Sequence, residues 1–266
     1  MIKNYFKIAW RNLARNKFYS AINITGLSIG LAVGIMVLLW VQDELRYDSF
    51  HKNAESIYKI NSHLGTGAGT QVWKGAPGAL AVFCRQIPEV KQAVRINNVD
   101  EQLLFTYGDK KFKESRLAFV DSSFFSLFDF ELFQGNTEKP FPDMFSIVLN
   151  VSSAKKYFGS KDALGQVLAT EYGNFTVSAV MKDFPENSSI QYDMLMSMGL
   201  YADMFTKWGG NGAWKTIDED LGNFQYNIYL QLQKDAPLKG VEKKITKIFI
   251  DKKGEDAKND FLLFNL

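Results

Sequence analysis

The sequence predicts a mixed α+β protein that is anchored by one N-terminal transmembrane helix. Three observations lead to this expectation. Residues 18–41 contain no charged side chain, and the residues before them are basic. The rest of the 266-residue chain alternates between short strand-like and short helix-like patterns. Short strands mixed with short helices are typical of an α+β domain.

The uncharged stretch is long enough to cross a bilayer as a helix. A spanning helix needs about 20 mostly apolar residues, because the hydrocarbon core is about 30 Å thick. Residues 18–41 would extend about 36 Å at about 1.5 Å per residue, so they can cross with some tilt. A cleaved signal peptide, the alternative, has an apolar region of about 7–15 residues and a small-residue cleavage site. The longer run leads into Gln42-Asp43-Glu44 without such a site, which favours a retained anchor.

An asymmetry of charge predicts the orientation of the anchor. Residues 1–42 contain five basic residues and no acidic one, whereas the rest of the chain has 26 basic and 29 acidic residues. Lys and Arg are retained on the cytoplasmic side of a spanning helix. We therefore expect a cytoplasmic N-terminus and an outer domain that lies, in a bacterium, in the periplasm or outside the cell. The five basic residues are Lys3, Lys7, Arg11, Arg15 and Lys17.

The first 17 residues are expected to form a basic amphipathic helix on the cytoplasmic face of the membrane. The basic residues up to position 15 recur every fourth residue and share one helical stripe. Tyr5 and Trp10 belong to an apolar set on another face and suit the level of the lipid headgroups. The basic stripe would contact anionic lipid heads. A basic leader that only sets topology is the simpler alternative.

Three glycines inside the anchor predict packing against another helix. Gly26, Gly30 and Gly34 are spaced by four residues and share one face. Such repeated small-xxx-small spacing lets a second helix approach the backbone closely. Asn23 and Thr25 could add interhelical hydrogen bonds. Gly is common in membrane helices generally, so it is the spacing that favours a packing face.

Local patterns predict the elements of the outer domain. Residues 103–107 alternate before Gly108-Asp109, which is typical of a hairpin. Residues 121–133 predict a capped aromatic turn that leads into a strand, and residues 201–220 an irregular excursion with a helical piece. Further strands are expected at residues 146–150, 167–170, 175–181, 192–198 and 224–232, and helices at residues 76–87, 152–158 and 237–251.

Motifs that would carry catalysis or bind ATP are weak. Gly26-x-Ser28-x-Gly30 matches a nucleophile elbow, but that motif needs a strand–turn–helix context and a histidine base, and here it lies inside the predicted span. The glycine-rich run 65–70 is not followed by Gly-Lys-Ser/Thr, so it predicts a flexible loop and no Walker A site. We therefore expect no catalytic residue and no cofactor in this chain.

Metal and nucleic-acid binding are not expected either. The two histidines, His51 and His63, and the one cysteine, Cys84, have no ligand spacing, and one cysteine cannot form an internal disulfide. The acidic run 218–220 predicts a solvated loop. Beyond residue 42 the net charge is −3, which gives no basic surface for nucleic acid.

Six blocks of sequence follow one another through most of the chain. They are residues 7–17 (KIAWRNLARNK), 22–30 (INITGLSIG), 43–51 (DELRYDSFH), 119–125 (FVDSSFF), 154–159 (AKKYFG) and 180–189 (VMKDFPENSS). In this order the blocks resemble the permease subunits of MacB/FtsX-type ABC transporters, especially the form frequent in Bacteroidetes. The ordered series is more specific than any one block.

The resemblance implies a two-part periplasmic core behind the anchor. Residues 1–17 would be the cytoplasmic basic helix and residues 18–41 the transmembrane helix. A porter-like α+β subdomain is then expected at residues 42–107 and 191–266. A smaller β-rich subdomain, at residues 108–190, would be inserted into it.

The resemblance also implies a role without catalysis in this chain. Permeases of this family pair as homo- or heterodimers in the bacterial inner membrane and work with a cytoplasmic ABC ATPase. ATP hydrolysis by that partner is coupled to periplasmic work on lipoproteins, peptides, drugs or cell-wall hydrolases. A periplasmic partner protein is a further expectation.

The sequence departs from the family pattern in one respect. Family permeases return to the membrane with at least three more helices, and no stretch after Val41 could span. The chain is therefore expected to be a fragment of a permease. The alternative is a single-span anchored sensor or binding module. An anchored hydrolase is the least favoured class, because no base lies near a nucleophile.

Overall fold

The structure, a computed structural model, describes residues 2–65, 71–254 and 259–266. The chain divides into two compact units, Met1–Ser49 and Phe50–Leu266. The first unit contains helices α1 (Ile2–Arg15) and α2 (Lys17–Glu44). Within the described residues, α2 alone is long and apolar enough to cross a membrane. Its 28 residues extend about 42 Å, so the predicted apolar helix is confirmed and is slightly longer at both ends.

The second unit is a mixed sheet with helices. Its helices are α3 (Ala79–Cys84), α4 (Phe124–Leu127), α5 (Val151–Phe158), α6 (Met198–Lys207) and α7 (Leu238–Lys253), with a short 3-10 turn at Ala54–Ser56. Its strands are β1 (Ile57–Leu64), β2 (Gln71–Trp73), β3 (Val90–Val99), β4 (Leu103–Tyr107), β5 (Lys110–Glu114), β6 (Leu117–Val120), β7 (Leu132–Gly135), β8 (Ser146–Asn150), β9 (Val167–Thr170), β10 (Gly173–Met181), β11 (Met194–Ser197), β12 (Tyr226–Leu232) and β13 (Asn259–Asn265).

The described strands form one sheet in the order β13-β1-β12-β3-β6-β11-β8-β10-β9-β4-β5. β2 adds to β1 and β7 adds to β10. The pairs β6–β11 and β8–β10 are parallel, and the other pairs are antiparallel. The mixed α+β fold predicted from the sequence is therefore confirmed.

The central strands bury both of their faces. Successive side chains of a strand point to opposite faces, and β6 sends Leu117 and Phe119 to one core but Ala118 and Val120 to the other. One core, the helix-side core, contains side chains of α3, α5, α6 and α7. The other, the aromatic core, includes Phe124, Phe125, Phe128, Phe130 and Phe184.

Local sequence signals fix several helix ends. The side chain of Asn150 accepts a hydrogen bond from the Ser153 N–H at 2.8 Å and caps α5. Gly159, with φ of +65°, follows the last residue of α5. The predicted helix at 152–158 is thus confirmed with its stop signal.

Two predicted elements were longer than the observed ones by three or more residues. The helix expected at residues 76–87 is limited to α3, because Ala76 forms a β-bridge with Tyr226 and donates its N–H to the Tyr226 carbonyl at 2.9 Å. The strand expected at residues 192–198 is limited to β11, because Ser197 caps α6 by accepting the Gly199 N–H at 3.1 Å. In the first case a tertiary hydrogen bond, and in the second a helix-capping hydrogen bond, shortens the element that the local sequence favours.

Side chains of α7 cover the outer edge of β13. Thr246 Oγ1 accepts the Phe261 N–H at 3.2 Å, and Glu242 Oε1 accepts the Leu263 N–H at 3.0 Å. Uncovered edge strands can pair with other chains. These two bonds satisfy donors that would otherwise be free at this edge.

We expect the Cys84 thiol to be unreactive in the folded protein. Cys84 is fully buried at the end of α3, and burial raises the pKa of its thiol to about 12. Because the thiolate is the nucleophile, a maleimide at pH 8 should label the native chain negligibly and the urea-unfolded chain completely. Mass spectrometry measures the labelling. An Asp109→Cys variant, exposed in the β4–β5 turn, is the positive control, and rapid native labelling of Cys84 would contradict the burial.

Candidate functional site

The three glycines predicted to pack against a helix lie on an open face of α2. A Cβ built on Gly26, Gly30 or Gly34 would meet no atom within 4 Å among the described residues. No residue of α2 is buried. This face therefore has room for a second helix, while its role in helix packing stays a prediction.

The predicted basic residues lie along α1 and at the start of α2. All five side chains are exposed, and the described part of the chain offers none of them an ion pair. Tyr5, Phe6 and Trp10 on α1 are also at least 70% exposed. Exposed cations and aromatic side chains on one helix are typical of a helix that lies in the membrane interface. The basic residues are Lys3, Lys7, Arg11, Arg15 and Lys17.

The structure gives no catalytic context to the weak motifs. Ser28 lies within α2, where no strand-to-helix turn occurs. The glycine-rich run beyond Gly65 lies outside the described residues. Within residues 2–65, 71–254 and 259–266, no group of three or more His, Cys, Asp or Glu residues could hold a metal ion.

The prediction of a solvated loop for the acidic run 218–220 is confirmed for Asp218 and Glu219, which are exposed, and is wrong for Asp220. Asp220 is fully buried, and its Oδ1 accepts hydrogen bonds from Asn211 Nδ2 at 3.0 Å and from the Gly222 N–H at 2.8 Å. Asp218 Oδ1 lies 2.5 Å from Arg95 Nη1. An ion pair with an arginine that is distant in the sequence therefore attaches this run to the domain.

Arg95 is the centre of an ion-pair network, which we name the polar clamp. It comprises the buried Arg95 and Asp121 and the exposed Asp218 and Arg85. Arg95 Nη2 donates to Asp121 Oδ1 at 2.9 Å, and its Nε donates to Asp121 Oδ2 at 3.1 Å. Asp121 Oδ2 also accepts the Arg95 N–H at 2.9 Å and a bond from Arg85 Nη2 at 3.3 Å. The clamp ties β3 to the start of the α4 segment and, through Asp218, to the excursion between α6 and β12.

The electrostatics of the polar clamp keep Arg95 charged. Burial alone would lower the pKa of Arg95, but the carboxylates of Asp121 and Asp218 outweigh burial and raise that pKa above its ordinary value. The side chains of Arg95 and Asp121 are only 7% and 10% exposed. A charge buried in this way is stable only with its partner, so the network can position backbone segments.

The first residues of the domain are fixed in the aromatic core. The ring of His51 lies 4.1 Å from that of Phe50 and 4.9 Å from that of Phe130, measured between centroids. His51 Nδ1 accepts the Asp129 N–H at 3.1 Å, so this nitrogen carries no proton. Asp129 Oδ2 in turn accepts the Lys52 N–H at 2.8 Å. The start of the second unit is therefore held by packing and by two hydrogen bonds.

Two surface grooves lie beside helices of the domain. A groove of about 370 Å³ runs between α7 and β13 and includes Ile250, Phe261 and Leu262. A second groove of about 620 Å³, the α5–β7 groove, lies between α5, β7 and the loop after α5. It is lined by Phe133, Gln134, Val151, Ala154, Lys155, residues 159–163 and Val180.

Sequence reasoning missed both the polar clamp and the α5–β7 groove. A single arginine among the apolar residues of β3 was the available signal for the clamp, because a charge in a buried strand needs a partner. The groove had no comparable signal, since its walls come from segments that are distant in the sequence.

Removal of Arg95 should destabilise the domain strongly. Arg95→Met leaves the buried Asp121 carboxylate without its main partner, and breaking a buried pair costs about 3–5 kcal/mol. Arg116→Met is the matched control, because Arg116 pairs with Asp193 but its side chain is 55% exposed, and such surface pairs contribute about 0–1 kcal/mol. Urea unfolding followed by circular dichroism measures both. Equal losses in the two variants would contradict the assigned role of the clamp.

Comparison with known proteins identifies the family. The sequence matches the MacB-like periplasmic core domain over residues 20–248. A search of curated proteins gave no significant match.

Solved structures show the same fold. A domain of a protein assigned as a permease, from Porphyromonas gingivalis, aligns with a TM-score of 0.66 and 20% identity over 81% of this chain and 93% of its own. The periplasmic region of MacB from Actinobacillus actinomycetemcomitans aligns with a TM-score of 0.54 and 18% identity over 80% and 92%. The extracellular domain of the ABC-type transporter YknZ from Gram-positive bacteria gives 0.53 and 13% over 79% and 100%. The family match covers most of the sequence, and this chain therefore belongs to the MacB-like periplasmic core domain family.

Proposed function

We propose that this chain is a permease subunit of a MacB/FtsX-type ABC transporter and supplies its first membrane helix and its periplasmic domain. One observation carries the proposal. The family match begins at residue 20, inside α2, and continues through the domain into α7. The match therefore joins the apolar helix to the domain, which a separately acquired signal sequence would not do.

The proposed orientation places α1 in the cytoplasm and the domain in the periplasm. It is supported by the five basic residues that precede residue 42 without any acidic residue. The exposed aromatic side chains of α1 would then lie in the inner leaflet, where their apolar bodies are buried and their polar tips stay wet.

The proposed mechanism is transmission of movement from a partner ATPase in the cytoplasm to the periplasmic domain. Gly26, Gly30 and Gly34 would pack α2 against a helix of the same or a second permease subunit. Phe50 and His51 fix the start of the domain in the aromatic core, so that start moves with the domain as one body. The work done in the periplasm would be export of a lipoprotein, a peptide or a drug.

We also propose the division of the periplasmic part into two subdomains, at residues 42–107 with 191–266 and at residues 108–190. The order of strands supports two parts, because β8, β9 and β10 lie towards one end of the sheet and β12, β1 and β13 towards the other. β6, which the smaller part would contain, lies between β3 and β11 of the larger part and would join the two. The proposed border at residue 108 falls in the turn between the paired strands β4 and β5, so this pairing would also join the two parts.

A cysteine-labelling experiment tests the orientation. In intact cells that produce the full chain, a membrane-impermeant maleimide should label Asp109→Cys and should label Asn4→Cys only after the cells are lysed. Both positions are exposed, and the buried Cys84 gives little background. Labelling of Asn4→Cys before lysis would contradict the cytoplasmic N-terminus.

A substitution on the glycine face tests the partnership. Gly30→Leu should reduce the permease and ATPase chains that co-purify with the tagged protein by about tenfold, the equivalent of about 1.4 kcal/mol, because the added side chain keeps a second helix away. Ala32→Leu adds similar bulk on the opposite face of α2 and is the matched control. Quantitative mass spectrometry of complexes from the native membrane gives the ratio.

The same preparation can refute the proposed function. If no Walker-type ATPase accompanies the unmodified chain, the permease assignment fails. If Ala32→Leu loses the partners as completely as Gly30→Leu, the glycine face is not the packing surface.

A further inference from the structure

Phe133 occupies a β-bulge in the short strand β7. Leu132, Gln134 and Gly135 are paired with residues of β10, whereas Phe133 has no residue opposite it. A bulge re-aims a side chain and bends the strand. Phe133 is 62% exposed, although large aromatic side chains of this domain are mostly buried.

The bulge also affects what can bind at this edge. Among the described strands β7 pairs only with β10, so its other edge is open. Bulges in edge strands disfavour the regular pairing that an added strand needs. A ligand at this edge would therefore be held through side chains, and Phe133 is the most prominent apolar group available to it.

The α5–β7 groove places further apolar surface beside Phe133. Val151 and Ala154 face the groove from α5, and Val180 contributes from β10. The volume of about 620 Å³ lies within the range of about 300–1,000 Å³ that small-ligand sites have. A protein ligand could therefore place only a short segment of chain in this groove. β7 is four residues long, or about 13 Å, which also limits the occupant to a few residues.

The rim of the groove carries an excess of positive charge. Lys155 and Lys161 are exposed, and neither forms an ion pair with any residue that the structure describes. The one acid on the rim, Asp162, uses its Oδ1 to accept the Leu164 N–H at 3.1 Å. A complementary occupant would bring carboxylates to the two lysines.

We propose that the α5–β7 groove binds a short linear segment of a partner protein, in which an apolar side chain is flanked by carboxylates. The apolar side chain packs against Phe133, Val151 and Ala154, and the carboxylates meet Lys155 and Lys161. This goes beyond the proposed transport function and does not depend on it, because the groove belongs to the domain alone.

The proposal is tested with a random linear peptide library displayed on phage and selected on the purified full chain in detergent. Enriched peptides should contain an apolar residue flanked by Asp or Glu. A synthetic enriched peptide should bind at least tenfold more weakly to Phe133→Ser and to Lys155→Glu/Lys161→Glu, as measured by fluorescence polarisation. Its affinity should also fall as the salt concentration rises.

Trp208→Ser is the matched control, because Trp208 is an aromatic side chain of the same domain with 65% exposure. It should bind the peptide like the unmodified chain. All variants replace exposed residues, so their thermal unfolding should match that of the parent, and binding is compared only among variants that do.

Several results would overturn the proposal. They are a selection that enriches no peptide, enriched peptides without acidic residues, and binding that survives Phe133→Ser. Sedimentation could give a further contrary result. If the unmodified chain forms a dimer that Phe133→Ser abolishes, the occupant of the groove is a second copy of the chain. Failure of the orientation or co-purification experiments would leave this binding unaffected, so the two proposals fail separately.

Discussion

Each central strand of the domain has to satisfy two hydrophobic cores at once. Along β6, β8 and β11, successive side chains enter the helix-side core and the aromatic core in turn. Because the side-chain period of a strand is two residues, a shift of one residue would exchange the contents of both cores. The register of the sheet is therefore tightly fixed, and the helices, the polar clamp and the surface grooves are placed by that register.

The membrane helix and the domain differ in how much of them the sequence could predict. The apolar helix depends on one uninterrupted local signal, the absence of charge from residue 18 to residue 41, and its prediction was accurate to within three residues. Strands such as β12 could also be predicted, because the alternation of apolar and polar residues along a strand is a local pattern. The order of the strands in the sheet was not, since it depends on pairings such as β3 with β12, which lie far apart in the chain.

The wrong prediction for Asp220 in the acidic run 218–220 also results from contacts between residues that the local sequence does not reveal. Asp218 and Asp220 follow one another closely with other polar residues, and this pattern usually predicts a solvated loop. The burial of Asp220 depends on Asn211, and the exposed Asp218 pairs with Arg95, which is on a distant strand. The exposure of Phe133 likewise has no local signal, because Phe133 ends a segment that is rich in aromatic residues. Its position in a strand with one open edge depends on the pairing of β7 with β10, which is a tertiary feature.

The first and the last strands of the described domain, β1 and β13, lie side by side. β1 pairs with β13 so that Tyr58 is opposite Asn265, and the Leu266 N–H donates to the Ile57 carbonyl at 3.0 Å. A force that pulls Ile57 away from Leu266 would load the hydrogen bonds between β1 and β13 one after another. Because each bond is then broken singly, the two strands would separate at low force. A force that turns or lifts both strands together loads none of these bonds. The domain is thus mechanically soft to separation of these two strands, whereas a movement that they share leaves their pairing intact.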